Sequence, residues 1–287
     1  MKKNLILIMM FTAVVATASS AVNLNKVQYT KGDSSKVVSL IRDARRQPRN
    51  TNTVIYLARR LRSLPYVAKT LEKNKYERLV VNLRQLDCTT YVENVLAMYL
   101  CVKYGKLNFS DFCNYLREIR YDNGNVSYTS RLHYFSQWID ENTGMGFVKE
   151  VQSPNPPFTA VHTINIGYMS AHPDKYPMIN RRPELIKRIK KMEDKINGRT
   201  YRYIPKTSIA NTTLMRRTVH DGDIIAITTR KAGLDISHIG FAVWHKDGLH
   251  LLNASMLRKR VVEEPKTLRS YMSNQRTQTG IRVIRVK

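Results

Sequence analysis

Cysteine is scarce in this chain: its 287 residues include only Cys88, Cys101 and Cys113. An odd number excludes a framework in which every cysteine is paired, so at least one thiol must be free. None of the three spacings matches the ligand pairs that hold zinc. We expect Cys101 and Cys113 to be reduced core residues, with a disulfide between them as the alternative.

Long apolar runs are also scarce, and only residues 5–16 form one. Lys2 and Lys3 precede this run and small residues follow it at Ser19, Ser20 and Ala21, an order that predicts a signal peptide over residues 1–21. No later run approaches the roughly 20 apolar residues that a membrane-spanning helix needs. We therefore expect a secreted or periplasmic protein, residues 22–287 after cleavage, without an integral membrane segment.

Acidic residues are few, because 22 Asp and Glu stand against 48 Lys and Arg, for a formal net charge of +26. Removal of Lys2 and Lys3 with the predicted signal would leave +24. The basic residues are spread along the chain, without the arm or module that is typical of nucleic-acid binding. For an exported protein this charge favours an anionic partner such as a carboxylate-rich cell wall or a membrane surface, and not nucleic acid.

An amphipathic pattern begins at Cys88 and continues to about Lys103, where apolar residues recur at three- and four-residue steps. Asp87 is placed to cap this predicted helix. The thiol would then meet unpaired backbone N–H groups and the positive end of the helix dipole, which favour the thiolate and should lower its pKa. Cys88 is therefore a candidate nucleophile; the alternative is a small apolar residue that ends a core helix.

The periodicity of the chain changes from helical to strand-like at its C-terminal third. Helices are predicted at residues 53–63, 109–119, 130–139 and 182–196, after a mobile start at 22–35; strands are predicted at 224–228, 237–244, 249–253 and 281–286. Helices before strands predict an α+β fold, with N-terminal helices packed on a C-terminal antiparallel sheet. We expect a single domain over residues 22–287 with helical insertions at about 130–200.

A hairpin brings a second chemical group toward the thiol. His238 begins a buried strand, and pairing across the turn at residues 246–248 would bring Asn253 close to it. An amide oxygen can accept the proton of one ring nitrogen and direct the other nitrogen to sulfur. His250 competes for this role, but strand alternation places it on the opposite face from Asn253. The alternative is that His238 is a structural residue at a strand end.

The motifs around these residues resemble a known superfamily. Leu-Asp-Cys-Thr-Thr-Tyr-Val-Glu-Asn at 86–94, Gly-Asp-Ile at 222–224, Ser-His-Ile-Gly at 237–240 and Asn-Ala-Ser at 253–255 are similar to the NlpC-type, papain-like cell-wall amidases and peptidases. With Ser-Arg-Leu-His-Tyr-Phe-Ser-Gln-Trp-Ile at 130–139, the chain more closely resembles their secreted N-acetylmuramoyl-L-alanine amidase-like branch in Gram-negative bacteria, from about Tyr66 to the C-terminus. This resemblance implies a papain-like core with Cys88 as nucleophile, His238 as base and Asn253 in the third position, where the superfamily often carries His.

The resemblance also implies a reaction. Peptidoglycan fragments would be cut at the amide between N-acetylmuramic acid and L-alanine, through a thioester and without a metal or other cofactor. Arg131, His133 and Tyr134 are candidate substrate contacts, because polar and aromatic groups crowd two or three turns of the helix predicted at 130–139; the alternative is an ordinary surface helix.

Other functions stay open at this point. One is an endopeptidase that cuts between D-glutamate and the diamino acid of the stem peptide. Another is a non-catalytic module that binds the wall or another polyanion. A zinc amidase is least favoured, since we expect no metal-ligand spacing in the chain.

Overall fold

The structure is a computed structural model that describes residues 21–287. The signal peptide predicted at 1–21 therefore lies outside the described residues, apart from Ala21. This part of the chain contains nine α-helices: α1 Lys31–Arg45, α2 Thr53–Arg60, α3 Cys88–Lys103, α4 Phe109–Arg120, α5 Phe135–Gly144, α6 Tyr168–Ala171, α7 Pro183–Ile196, α8 Thr213–Thr218 and α9 Leu268–Ser273. None of these helices has the length and apolar character that crossing a bilayer requires.

Ten strands accompany the helices: β1 Val27–Gln28, β2 Leu79–Val80, β3 Val148–Val151, β4 Ala160–Thr163, β5 Thr200–Pro205, β6 Ile224–Thr229, β7 Ile236–Trp244, β8 Leu249–Ser255, β9 Arg260–Glu263 and β10 Gln278–Val286. β1 and β2 form a small parallel pair. The others form an eight-stranded antiparallel sheet in the order β4-β5-β10-β6-β7-β8-β9, and β3 also pairs with β10. The antiparallel sheet predicted from the C-terminal third is therefore confirmed.

Helix α3 lies between the other N-terminal helices and the sheet. It contacts α1, α2 and α4 on one side and β7 and β8 on the other. Almost all of its side chains are buried, which is why the helix is apolar nearly all round after its first turn. Asp87 caps it, and the Asp87 carboxylate accepts from the Thr90 N–H at 2.8 Å. The predicted bounds and cap of this helix are confirmed.

The start of the described chain is ordered, so the prediction of a mobile segment at 22–35 is wrong. It contains β1 and the first turn of α1. Thr30 caps α1 in a reciprocal capping box with Asp33. The Asp33 carboxylate also accepts from the Leu83 N–H at 2.9 Å. This polar stretch has no periodic pattern of apolar residues, so its sequence did not predict a strand and a helix there.

The segment predicted to be helical insertions supplies strands as well as helices. β3, β4 and the first residue of β5 lie within or at the edge of residues 130–200 and join the main sheet. β4 alternates between half-buried and exposed residues at the sheet edge and has no apolar face to reveal it in the sequence. The inserted segment also buries a hydrophobic cluster of its own, which includes Tyr134, Met169 and Ile189.

The helix predicted to start at Ser130 begins instead at Phe135. Residues Tyr128–Ser130 form a 3-10 turn, and Arg131 and Tyr134 have extended backbone. Arg131 pairs across an isolated bridge with Tyr121. The buried contacts of Arg131, described below, hold this segment extended.

Candidate active site

Cys88 is the first residue of α3, and its side chain is partly exposed at the end of the helix that meets β7. The backbone N–H of Ile239 and the N–H and hydroxyl of Thr89 hydrogen-bond to its sulfur. The thiol therefore lies beside the strand that carries His238. Both residues line one cavity of about 170 Å³.

The His238 ring is held by an amide. Its Nε2 lies 2.8 Å from Oδ1 of Asn253. The Asn253 amide nitrogen faces three acceptors, the carbonyls of Leu251 and Val262 and the carboxylate of Glu264, at 3.3 to 3.4 Å. A flipped amide would turn its oxygen against those acceptors, so the amide oxygen faces the ring. Nε2 then carries the proton, and Nδ1 is left as a base.

Close contact between β7 and β8 at this point depends on Gly240. A Cβ added at this position would lie 2.8 Å from both the Asn253 Cβ and the Leu252 carbonyl oxygen. Cβ atoms in proteins essentially never approach other atoms this closely, so the strands would have to separate. The glycine two residues after His238 therefore lets the two side chains meet.

The electrostatics of the pair correct one expectation. Burial raises the pKa of the Cys88 thiol to about 12, and the Asp87 carboxylate adds to this effect, while the hydrogen bonds from Ile239 and Thr89 oppose it. The lowered thiol pKa expected from the helix end is therefore wrong in direction, because burial of the thiol outweighs the donors at the helix start and the Asp87 carboxylate next to the sulfur adds to the effect of burial. Burial also lowers the pKa of His238. The resting pair consists of a neutral thiol and a neutral imidazole.

The opposite wall of the cavity comes from the inserted segment and the loop before β7. Its side chains are mostly apolar or aromatic and include Leu132, Tyr134, Phe135, Met169, Tyr176 and Leu234. Tyr134 and Met169 belong to the hydrophobic cluster of the insertion, and Tyr176 packs against it. The insertion thus shapes the space in front of the thiol.

Two of the three predicted substrate contacts line this cavity. His133 does so while its Nε2 lies 2.7 Å from the Tyr128 carbonyl oxygen, and burial, with Arg131 nearby, holds the pKa of His133 well below its usual range. Tyr134 offers its ring to the cavity, but its hydroxyl donates to Glu193 at 2.7 Å and accepts from the Met169 N–H at 3.0 Å. His133 is thus a neutral polar group, and Tyr134 an apolar wall.

Arg131 does not line the cavity. Its side chain is 5% exposed, is hydrogen-bonded to Glu72 and lies 3.4 Å from Glu77. Glu77 also accepts from the Tyr121 hydroxyl at 2.6 Å. Arg131 therefore supports the extended segment that carries His133, and its contact with substrate stays a prediction.

Sequence reasoning missed Asp235, which lines the cavity three residues before His238. Asp235 is buried, and its carboxylate accepts from the Ser136 N–H at the start of α5 at 2.7 Å. This carboxylate joins the inserted helix to the strand that carries the base. Its closeness in sequence to His238 was the only available signal.

A family model and a solved amidase structure indicate the same family for this chain. The AmiA-like model, described as N-acetylmuramoyl-L-alanine amidase-like, matches residues 56–281. A solved N-acetylmuramoyl-L-alanine amidase from Bacteroides uniformis is 36% identical, with 80% of this chain and 97% of that chain covered and a TM-score of 0.73. A Bacteroides fragilis structure provisionally named a xylanase is 37% identical, covering 80% and 99%, with a TM-score of 0.74. No curated protein matches the chain.

A more distant structure shares the fold. The Legionella pneumophila protein is 22% identical, with 89% of this chain and 94% of that chain covered and a TM-score of 0.65. The mixed helical and antiparallel-sheet architecture is therefore common to this chain, the amidase and a distant relative.

Proposed function

This chain belongs to the N-acetylmuramoyl-L-alanine amidase-like family, and from the Cys88 pocket we propose that it is a secreted cysteine amidase with a papain-like core of the NlpC type. It hydrolyses the amide between N-acetylmuramic acid and L-alanine in peptidoglycan fragments. The charged and apolar pattern of residues 1–21 supports export to the periplasm or beyond, where this substrate is found.

One observation carries the proposal: Cys88 and His238 line the same cavity, and Asn253 holds the imidazole so that Nδ1 is its free base. These three side chains come from α3, β7 and β8, far apart in the sequence. A thiol, a base and a group that orients the base are the parts that nucleophilic amide hydrolysis requires.

In the first half of the reaction, His238 Nδ1 takes the thiol proton as Cys88 Sγ attacks the lactyl carbonyl carbon. The N–H of Cys88 belongs to the first turn of α3, whose N–H groups have no partner within the helix, and it is available to the developing oxyanion. The C–N bond then breaks, and the imidazolium gives its proton to the leaving amine of L-alanine. The products are a free stem peptide and a thioester.

In the second half, water attacks the thioester carbonyl while His238 accepts its proton. The C–S bond breaks, and the departing sulfur recovers the proton from His238. A neutral resting pair suits this cycle, because His238 is unprotonated and ready to act as base in both halves.

The xylanase name of one relative is not favoured for this chain. Glycoside hydrolysis in most families uses two carboxyl groups on either side of the scissile bond. Among the described residues that line the cavity, Asp235 alone has a carboxyl group, and that group is bonded to the Ser136 N–H.

The decisive experiment incubates the purified protein with defined muropeptides and reads the product masses. We expect free stem peptide and peptide-free muramyl sugar. Cys88→Ala should abolish their release, by at least about 10³-fold, because nothing replaces the attacking sulfur. Cys113→Ala is the matched control, since it removes a buried thiol that lies outside the cavity.

Other outcomes would replace the proposal. Products cut between D-glutamate and the diamino acid would identify an endopeptidase with the same machinery. Muropeptide binding by both proteins without turnover by the parent would identify a non-catalytic wall-binding module. Full activity of Cys88→Ala would refute the cysteine mechanism.

A further inference from the structure

A second cluster of histidines lies at the opposite end of the β7–β8 hairpin. One ligand atom each from His245, Asp247 and His250 lies within 4.8 Å of the other two. His245 and Asp247 are largely exposed, whereas the His250 side chain is 3% exposed. The seven residues from His238 to His245 span about 23 Å of extended strand, so this cluster is separate from the Cys88 cavity.

Each histidine in the cluster has its other ring nitrogen held by an oxygen. Nδ1 of His250 lies 2.8 Å from the Glu264 carbonyl oxygen, and Nε2 of His245 lies 2.6 Å from the Glu263 carboxylate. Glu263 is itself fixed by two hydrogen bonds from Arg59, at 2.9 and 3.0 Å. Histidines that bind metals are oriented in this way by outer oxygen acceptors.

The contact between His250 and Asp247 needs a positive charge between its two atoms. Because Nδ1 of His250 faces a carbonyl oxygen, it must carry a proton, and Nε2 of the neutral ring is then a lone pair. That lone pair faces the Asp247 carboxylate at 3.0 Å. A cation bound by both atoms makes this contact favourable.

The ring of His245 argues for the cation. It stacks on His250 with centroids 4.2 Å apart. One divalent ion can satisfy the free nitrogen of each ring and the Asp247 carboxylate together. Imidazole and carboxylate ligands suit zinc and its first-row neighbours.

We propose that His245, Asp247 and His250 bind one divalent transition-metal ion, of the zinc class. Zinc bonds of 2.0–2.1 Å require ligand atoms about 3.3 Å apart, so the cluster must close slightly. Asp247 is 62% exposed in the turn and is free to make that movement. The ion ties the hairpin turn to β9 through Glu263 and leaves the chemistry at Cys88 independent of metal.

The positive charges around the cluster set a limit on affinity. Arg59 is neutralised by Glu263, and Arg216 is directed to the Trp244 ring and to the His245 carbonyl. Lys246 lies in the turn itself and adds a positive charge that an incoming ion must overcome. The His-x-Asp-x-x-His spacing of residues 245–250 differs from the expectation that the chain has no metal-ligand spacing.

The test titrates the full chain, freed of metal with a chelator, with Zn²⁺ by calorimetry and with Co²⁺ by its visible absorption. We expect one ion per chain for the parent. His245→Ala and Asp247→Ala should each weaken binding at least about tenfold, and Glu263→Gln, which loosens His245, by about tenfold. His245 and Asp247 are exposed, so their variants are expected to fold; a melting curve without metal checks this.

Two controls separate this site from other ligands. His220→Ala removes an exposed histidine outside the cluster, and Cys88→Ala removes the thiol that could bind zinc with His238. Both should bind as the parent does, and Zn²⁺ should raise the melting temperature of the parent but not of His245→Ala. Undiminished binding in folded His245→Ala and Asp247→Ala, loss of binding in Cys88→Ala, or no saturable binding by the parent would each overturn the proposal.

Discussion

The two ends of the β7–β8 hairpin carry histidines in opposite surroundings. At one end His238 is withdrawn from water and its Nε2 meets the neutral amide of Asn253. At the other end His245 and His250 meet the carboxylates of Glu263 and Asp247. The imidazole ring thus has a neutral amide partner beside the Cys88 cavity and carboxylate partners at the hairpin turn.

This difference explains why the same side chain suits two tasks. A neutral amide fixes the direction of the ring and favours the imidazolium less than burial opposes it, so His238 stays a base. A carboxylate favours a positive charge on or beside the ring: the hydrogen bond to His250 lowers the pKa of Asp247. The partner therefore decides whether a histidine serves proton transfer or cation binding.

The largest expected effect is a difference in amidase activity between variants at the two ends of the β7–β8 hairpin. His238→Ala should lower kcat/KM for muropeptides by about 10²–10⁴-fold, because it removes the base that accepts the Cys88 proton. His245→Ala should change it less than about twofold. Steady-state assays of both variants make the comparison. Equal losses in the two variants would show that the ends do not differ as described.

A labelling assay follows the same proton without substrate. Since the pKa of Cys88 is raised, its thiolate forms at neutral pH only with help from His238. Iodoacetamide should therefore label Cys88 much more slowly in His238→Ala than in the parent, as measured by intact-protein mass spectrometry. Equal labelling rates would contradict the pairing of these two residues.

The next prediction concerns the contribution of His250, at the turn end of the hairpin, to the free energy of unfolding. His250 is buried and loses its bond to the Glu264 carbonyl when replaced. His250→Ala should lower the free energy of unfolding by about 2 kcal/mol in metal-free buffer, through lost packing and an unsatisfied carbonyl. Urea unfolding measures it, and the folded fraction should keep its amidase activity. A variant as stable as the parent would argue that the contact contributes nothing.

A smaller effect is expected from a substitution that gives His238 a carboxylate partner, as His245 and His250 have at the other end of the hairpin. Asn253→Asp places a carboxylate against His238, which favours the imidazolium and raises its pKa. The acid limb of the pH–activity profile should move to higher pH by about one unit. Asn253→Gln, which keeps the charge unchanged, is the control for altered shape. An unshifted acid limb in the Asp variant would exclude His238 as the titrating base.

The smallest expected effect concerns the pH dependence of activity in the unsubstituted protein. Because burial lowers the pKa of His238, its imidazole stays neutral down to a pH below the ordinary histidine value of about 6.5. Activity should therefore persist at mildly acidic pH and fall only when the imidazole is protonated. Since the Cys88 pKa is raised to about 12, thiol ionisation should produce no change between neutral pH and about pH 10. A thiolate transition near pH 8 would show that the helix end dominates after all.

Much of the fold could be predicted because its signals are local. Neighbouring residues determine the helical period of α3, its Asp87 cap and the β7–β8 turn, and the structure contains all three. β4 could not be predicted, because an exposed edge strand has no apolar face. The extended segment before α5 could not be predicted either, because Arg131 is held by Glu72, which lies far away in the sequence.

By itself, the sequence determined which groups could react and which elements carry them: a thiol at a helix start, and a histidine and an asparagine on paired strands. Only the tertiary structure decided their charge states, the walls of the cavity and the grouping of His245, Asp247 and His250. The physical reason is range. Helix periodicity, caps and turns depend on residues a few positions apart, whereas desolvation and ion pairing depend on which distant segments exclude water from a group.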